Sequence, residues 1–214
     1  DQIFPLFGEA GLEANTLKGY AATEEQFKNL SRSKDRMNSP RVIHLSTHGY
    51  FYPNLFQATT TALPVSLPHT IKSADNPLIR SGLILAGGNY AWQKGEPFRP
   101  WMEDGILTAY EIVPMDLSST ELVVLSACES GLGDIDGNEG VYGLQRAFKI
   151  AGVRYIIMSL WQVPDAATVE LMTRFYTHLL KHHQSVRKSL LQAQKEMRME
   201  GYDPYQWAGF VLIE

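Results

Sequence analysis

Short unbroken apolar runs alternate along the chain with stretches in which apolar residues recur every three or four positions. The runs RVIHLS (41–46), GLILAG (82–87), ELVVLSA (121–127), VRYIIMSLW (153–161) and WAGFVLI (207–213) are too short for helices and rich in strand formers. The run at 121–127 is the most strand-like and is expected at the centre of a sheet. Helical spacing marks the intervals. ATEEQFKNL (22–30) opens with Thr23 and Gln26 in a capping-box pattern. DGILTAYEIVPMDL (104–117) predicts a short helix stopped near Pro114. GVYGLQRAFKIAG (140–152) puts Val141, Leu144, Phe148 and Ala151 on one face and ends on Gly152, a natural helix stop.

Two more helices follow the strand at 153–161. One runs from a cap at Asp165 through Lys181, with Val169, Met172, Phe175, Tyr176 and Leu179 on its buried side. The other is capped by Ser185 and reaches about Glu200. Strands alternating with helices, in runs that do not alternate apolar with polar, predict an α/β three-layer sandwich with a mainly parallel sheet. Residues 52–77 carry Pro53, Pro64, Pro68 and Pro77 among polar neighbours and read as a loop or insertion. No internal repeat is visible, and 214 residues suit one domain spanning 1–214.

Composition narrows the function classes. The chain is 44% hydrophobic and 20% charged, as in globular proteins generally. A net charge of -4 argues against direct nucleic-acid binding, which leans on a basic excess. No apolar run approaches a bilayer-spanning length, and DQIFPLFGEAG lacks the basic and apolar parts of a signal peptide, so no membrane association is expected. The single cysteine suits a reducing cytoplasm. The start at Asp1, without methionine, suggests a piece of a longer polypeptide or a processed product.

Candidate chemistry lies at two of the turns. In a parallel sheet functional groups gather at the carboxyl ends of the strands. His48 follows the first strand and Cys128 the central one, 80 residues further along the chain. If those strands are neighbours, an imidazole stands beside a thiol. It can take the thiol's proton and later deliver it to a leaving amine. Gly49 allows a close backbone approach, and its N–H could join that of Cys128 around an oxyanion. The alternative is a small buried cysteine and a hydrogen-bonded histidine in unrelated turns.

VIHLSTHG, GLILAGG with DGILTAYEI, LVVLSACESGLG, GVYGLQRAFKIAGVRYIIMSLWQVPDAAT and DPYQWAGFVLIE, in that order, resemble the CHAT family of caspase-like cysteine peptidases. The likeness runs from about residue 41 to the C-terminus. It covers the proline-rich stretch and the first twenty or so residues weakly. The resemblance implies a caspase-hemoglobinase fold, with the family's histidine on His48 and its cysteine on Cys128. It implies peptide-bond hydrolysis, and an upstream tetratricopeptide repeat domain or regulatory protein as partner. A role in bacterial stress, defence or programmed death is implied in the same way. LWQVPD also resembles the separase pattern of tryptophan, valine and aspartate at alternate positions. By that likeness Trp161 and Asp165 would line a pocket for a basic side chain, with Glu129 as an alternative acidic wall. Asp165 is equally placed as a helix cap. The implied reaction, on a protein substrate, needs no metal or organic cofactor.

Other features carry less. His44, deeper in its strand, is expected to be hydrogen-bonded and structural. His178, His182 and His183 share a helix end without an acidic or cysteine partner nearby in sequence, so the helix C-terminus or solvent explains them better than zinc. GDIDGNEG (133–140) begins like a calcium loop with Asp134, Asp136 and Asn138. It then puts Glu139 where glycine is needed and Gln145 where glutamate is needed. Tyr90, Trp92, Phe98 and Trp101 form an aromatic group, expected to anchor a long loop.

Overall fold

The structure is a computed structural model that describes residues 2–32, 40–51, 76–126 and 139–214. The expected loop at 52–77 therefore lies almost wholly outside the described residues. A four-stranded sheet has the order β1 (Val42–Leu45), β5 (Leu122–Leu125), β6 (Tyr155–Ser159) and β7 (Phe210–Ile213). The first three are parallel, and β7 runs antiparallel to β6. β5 is thus flanked on both sides, as its uninterrupted apolar run requires.

Successive residues of β5 point to opposite faces, and both faces are covered. Val123 and Leu125 join Ile43, Ile156, Met158, Leu144, Ala147 and Phe148 in one core. Leu122 and Val124 join Ile157, Leu171, Phe175, Tyr176, Leu190 and Met197 in the other. The first core lies under α2 (Glu24–Arg32) and α5 (Glu139–Ile150), where Phe27 meets Phe148 edge to face at 6.3 Å. The second lies under α1 (Phe4–Glu9), α6 (Asp165–Tyr176) and α7 (Val186–Met199). The three layers expected from the sequence are present: helices, a mainly parallel sheet, helices.

The caps follow the sequence in most places. Thr23 Oγ1 accepts from the Gln26 N–H at 3.3 Å, and Ser185 Oγ from the Lys188 N–H at 3.4 Å. α5 ends before Gly152, whose φ of +102° is left-handed and whose absent Cβ would meet Ser118 Cα at 2.9 Å. Only glycine closes that turn without strain.

Several expectations change. Asp165 is not a cap: Pro164 holds that position and Asp165 is the first helical residue. Val169 is 39% exposed rather than on the buried side of α6. The helical rise continues past Tyr176 as a π-turn over Thr177–Lys181. Residues 104–117 form a strand first, β4 (Ile106–Thr108), and only then the short helix α4 (Ala109–Ile112), capped by Thr108 with Glu111 in a complete capping box. A further short helix, α8 (Pro204–Trp207), precedes β7.

A second sheet was not foreseen. β2 (His48–Phe51), β3 (Ser81–Ile84) and β4 form an antiparallel meander, with His48 opposite Ile84 and Gly82 opposite Thr108. Leu83 and Leu107 reach into the first core. Tyr50, Ile106 and Ala91 make a smaller cluster with Trp92 of α3 (Gly88–Lys94), whose ring meets that of Tyr50 at 5.2 Å. Tyr90, Phe98 and Trp101 stay exposed, so the aromatic group divides: Trp92 anchors, and the other three face outward. Among the described residues no helix is long and apolar enough to cross a membrane.

Candidate functional site

Register aligns the carboxyl ends of the parallel strands at one edge of the sheet. Leu45 pairs with Leu125, and Leu125 with Met158; β1 and β5 end level, and β6 runs one residue further to Ser159. Three residues beyond each of these positions stand His48, Cys128 and Trp161.

His48 is not in a simple turn. It opens β2, is exposed, and takes its orientation from the antiparallel ladder with β3. The Thr47 hydroxyl donates to the Ile84 carbonyl and fixes the entry to that strand. Gly49, opposite Leu83, is buried. Cys128, Glu129 and the acidic stretch with Asp134, Asp136 and Asn138 lie outside the described residues.

On the far side of the same edge, Gln162, Val163, Pro164, Asp165 and Tyr205 line a cleft of about 420 Å³. The Trp161 ring stacks on Tyr205 with centroids 5.8 Å apart, and its indole N–H donates to the Tyr205 carbonyl at 2.8 Å. Gly209 backs the indole: a Cβ there would meet Trp161 Cε2 at 2.8 Å. Asp165 is exposed at the rim. An aromatic wall with a carboxylate at its lip suits a cationic side chain, through stacking and charge-assisted hydrogen bonds. Tyr205 could have been suspected from DPYQW, where Asp203, Pro204 and Gln206 repeat the start signal read at Thr23.

His44 is hydrogen-bonded, as expected. Its Nδ1 lies 3.0 Å from the Tyr176 hydroxyl and its Nε2 lies 3.1 Å from Ser126 Oγ. Loss of solvent pushes the imidazole down to about 4, so the ring is neutral near pH 7. Desolvation also pushes the Tyr176 phenol well above its ordinary range.

His178 has an acidic partner after all: Glu196, 18 residues further along the chain on α7, approaches its Nε2 to 2.8 Å. Arg174 joins that group through Glu170 and Glu200, each at 2.7 Å. The result is a staple between α6 and α7.

One charged cluster could not be read from the sequence. Among the described residues, Glu24, Glu103 and Glu111 bring carboxylate oxygens within 4.8 Å of one another. The Lys28 ammonium sits against them, at 2.7 Å from Glu24, 3.1 Å from Glu103 and 2.9 Å from Glu111. Burial pushes the Glu24 carboxyl up to about 7, against the pull of Lys28. Burial opposes the lysine's charge too, but the three carboxylates hold it above the usual lysine range. A side-chain cation therefore already serves these carboxylates. The i, i+4 pair Glu24 and Lys28 was the only local signal.

The profile of the CHAT domain family matches residues 2–214. Tetratricopeptide repeat protein 28 of mouse (Mus musculus) is 33% identical over 117 residues, which is 53% of this chain and 5% of that protein. Tetratricopeptide repeat protein 28 of human (Homo sapiens) is 32% identical over 117 residues, with the same shares. The chain thus corresponds to a small part of these relatives.

Proposed function

The chain belongs to the CHAT domain family, a family of caspase-like peptidases, and from that premise we propose that it is a cysteine endopeptidase acting through Cys128 and His48. The observation that carries this reading is the level register of Leu45, Leu125 and Met158, with His48, Cys128 and Trp161 each three residues beyond. Adjacent parallel strands that end level deliver the segments after them to the same place.

His48 takes the Cys128 proton, and the thiolate attacks the scissile carbonyl. The Gly49 and Cys128 N–H groups hold the resulting oxyanion. Collapse of the adduct transfers the proton from His48 to the leaving amine, and water then hydrolyses the thioester. Asp165, with Trp161 and Tyr205, accepts a basic residue before the scissile bond. Glu129 is the second acidic candidate near the nucleophile. The substrate is a protein, the whole of 1–214 acts as one peptidase domain, and no cofactor takes part. An upstream repeat domain accompanies and controls it, the association being supported by the repeat proteins among its relatives, and it acts in the cytoplasm.

The test is covalent capture. Acyloxymethyl ketones on short peptides ending in arginine, lysine, leucine or aspartate are incubated with the chain, and the product is read by intact mass. The wild type should gain one adduct, fastest with arginine or lysine, and Cys128→Ala none. In Asp165→Asn the preference for basic peptides should fall while adduct formation persists. Absence of adduct with every peptide would favour a non-catalytic interaction domain or a small-molecule cysteine hydrolase.

A further inference from the structure

Tyr176, His44 and Ser126 form a hydrogen-bonded line that crosses from the helix layer, through β1, to the carboxyl end of β5. The dyad chemistry does not use it. The protons along the line can be assigned. Among the described residues, His44 Nδ1 is the partner of the Tyr176 hydroxyl, which is fully buried and keeps its proton. A buried O–H needs an acceptor, so Tyr176 donates to Nδ1. The neutral imidazole then carries its own proton on Nε2 and donates it to Ser126 Oγ. Ser126 is held a second time by its backbone N–H, which donates to the Leu45 carbonyl at 2.9 Å.

Two different groups of Ser126, main chain and side chain, are thus fastened to the strand that leads into His48. Ser126 is also two residues before Cys128. Space-filling alone would be served at lower desolvation cost by an apolar residue in VIHL. Resting on the dyad reading above, we propose that His44 is a positioning residue. Through Ser126 it clamps the chain leaving β5 to the chain leaving β1, and so sets the placement of Cys128 against His48.

The test exploits the single thiol and a nearly isosteric pair of substitutions. Iodoacetamide labelling of Cys128 is measured against pH in the 214-residue wild type, Ser126→Thr, Ser126→Val and His48→Ala, with the melting temperature of each. Threonine and valine fill the same volume, so packing effects are shared and the hydroxyl alone separates them. Ser126→Thr should keep the wild-type profile. Ser126→Val should label about five-fold more slowly at neutral pH, the factor carried by one ordinary net hydrogen bond, with its apparent thiol pKa moved towards the ordinary value of about 8.5. If Thr and Val give the same profile while His48→Ala shifts it, the positioning role is overturned and the dyad stands. If His48→Ala also leaves the profile unchanged, the dyad reading fails and the positioning role with it.

Discussion

Leu45 and Leu125 are register partners on adjacent parallel strands, and His48 and Cys128 each follow their strand's partner by three residues in the sequence. The offset of 80 residues is constant through the whole β1–β5 ladder, so two strands remote in sequence become neighbours. A slip of one residue in that ladder would reverse the faces of Ile43 and His44, exchanging a core side chain for a polar one. The apolar pattern that builds the core therefore also sets the register of the two strands that lead to the candidate groups.

His44 makes folding stability depend on acid. Its folded-state value near 4 lies below the ordinary 6.5, so from about pH 6.5 down to 4 the unfolded chain binds a proton that the folded chain refuses. Stability is therefore lost as pH falls through that window, by at most about 3 kcal/mol. Urea unfolding of the wild type and His44→Gln at pH 7 and pH 4 isolates this contribution. The wild type should lose more than the variant, and equal losses would contradict the neutral, desolvated ring.

Lys28 holds three carboxylates, one of them the buried Glu24. Lys28→Met should cost about 3 kcal/mol near pH 8, because it leaves a buried negative charge without its partner. The deficit should shrink towards pH 5. A carboxyl raised to about 7 with the lysine present becomes neutral as pH falls, and in the variant it does so more readily still. A deficit that is small, or independent of pH, would contradict this arrangement. Denaturant titration at the two pH values measures it.

Gly209 leaves room for the Trp161 indole. Gly209→Ala should force the ring off Tyr205 and destabilise the chain by about 1–3 kcal/mol. Capture of basic peptides should weaken, because Tyr205 of the cleft loses the ring stacked on it, while iodoacetamide labelling of Cys128 stays near the wild-type rate. Thermal unfolding and the two labelling rates decide it.

The strands of the main sheet were legible because burial on both faces leaves unbroken apolar runs, and β5 and β6 are the plainest of these. α5 and α7 were legible through helical spacing, with Gly152 and Ser185 as stop and start signals. Of the second sheet, β3 was legible in GLILAG, and the other two strands were hidden by their brevity. β4 has three residues and runs straight into a capped helix, so the whole of 104–117 carried a helical signature. β2 opens on His48 and Gly49, residues whose polarity and small size suggest a turn, and only its pairing with β3 makes it a strand. Asp165 carried a cap signal, but Pro164, whose fixed φ suits a helix start, took the position before it. The Glu24, Glu103, Glu111 and Lys28 cluster joins residues about 80 apart in sequence, beyond the reach of any local pattern. Of the candidate site, the strand ends and the Trp161 and Asp165 segment were readable. The stacked Tyr205 and the line from Tyr176 to Ser126 depend on tertiary packing.

The most direct test of the dyad is an ultraviolet titration of the single thiol, following thiolate absorbance against pH in the wild type and His48→Ala, with Cys128→Ser as the blank. An imidazolium beside the sulfur stabilises the thiolate. The wild type should titrate well below about 8.5, and His48→Ala should return to that ordinary value. A thiol that titrates at or above the ordinary value in both proteins would contradict a Cys128–His48 pair.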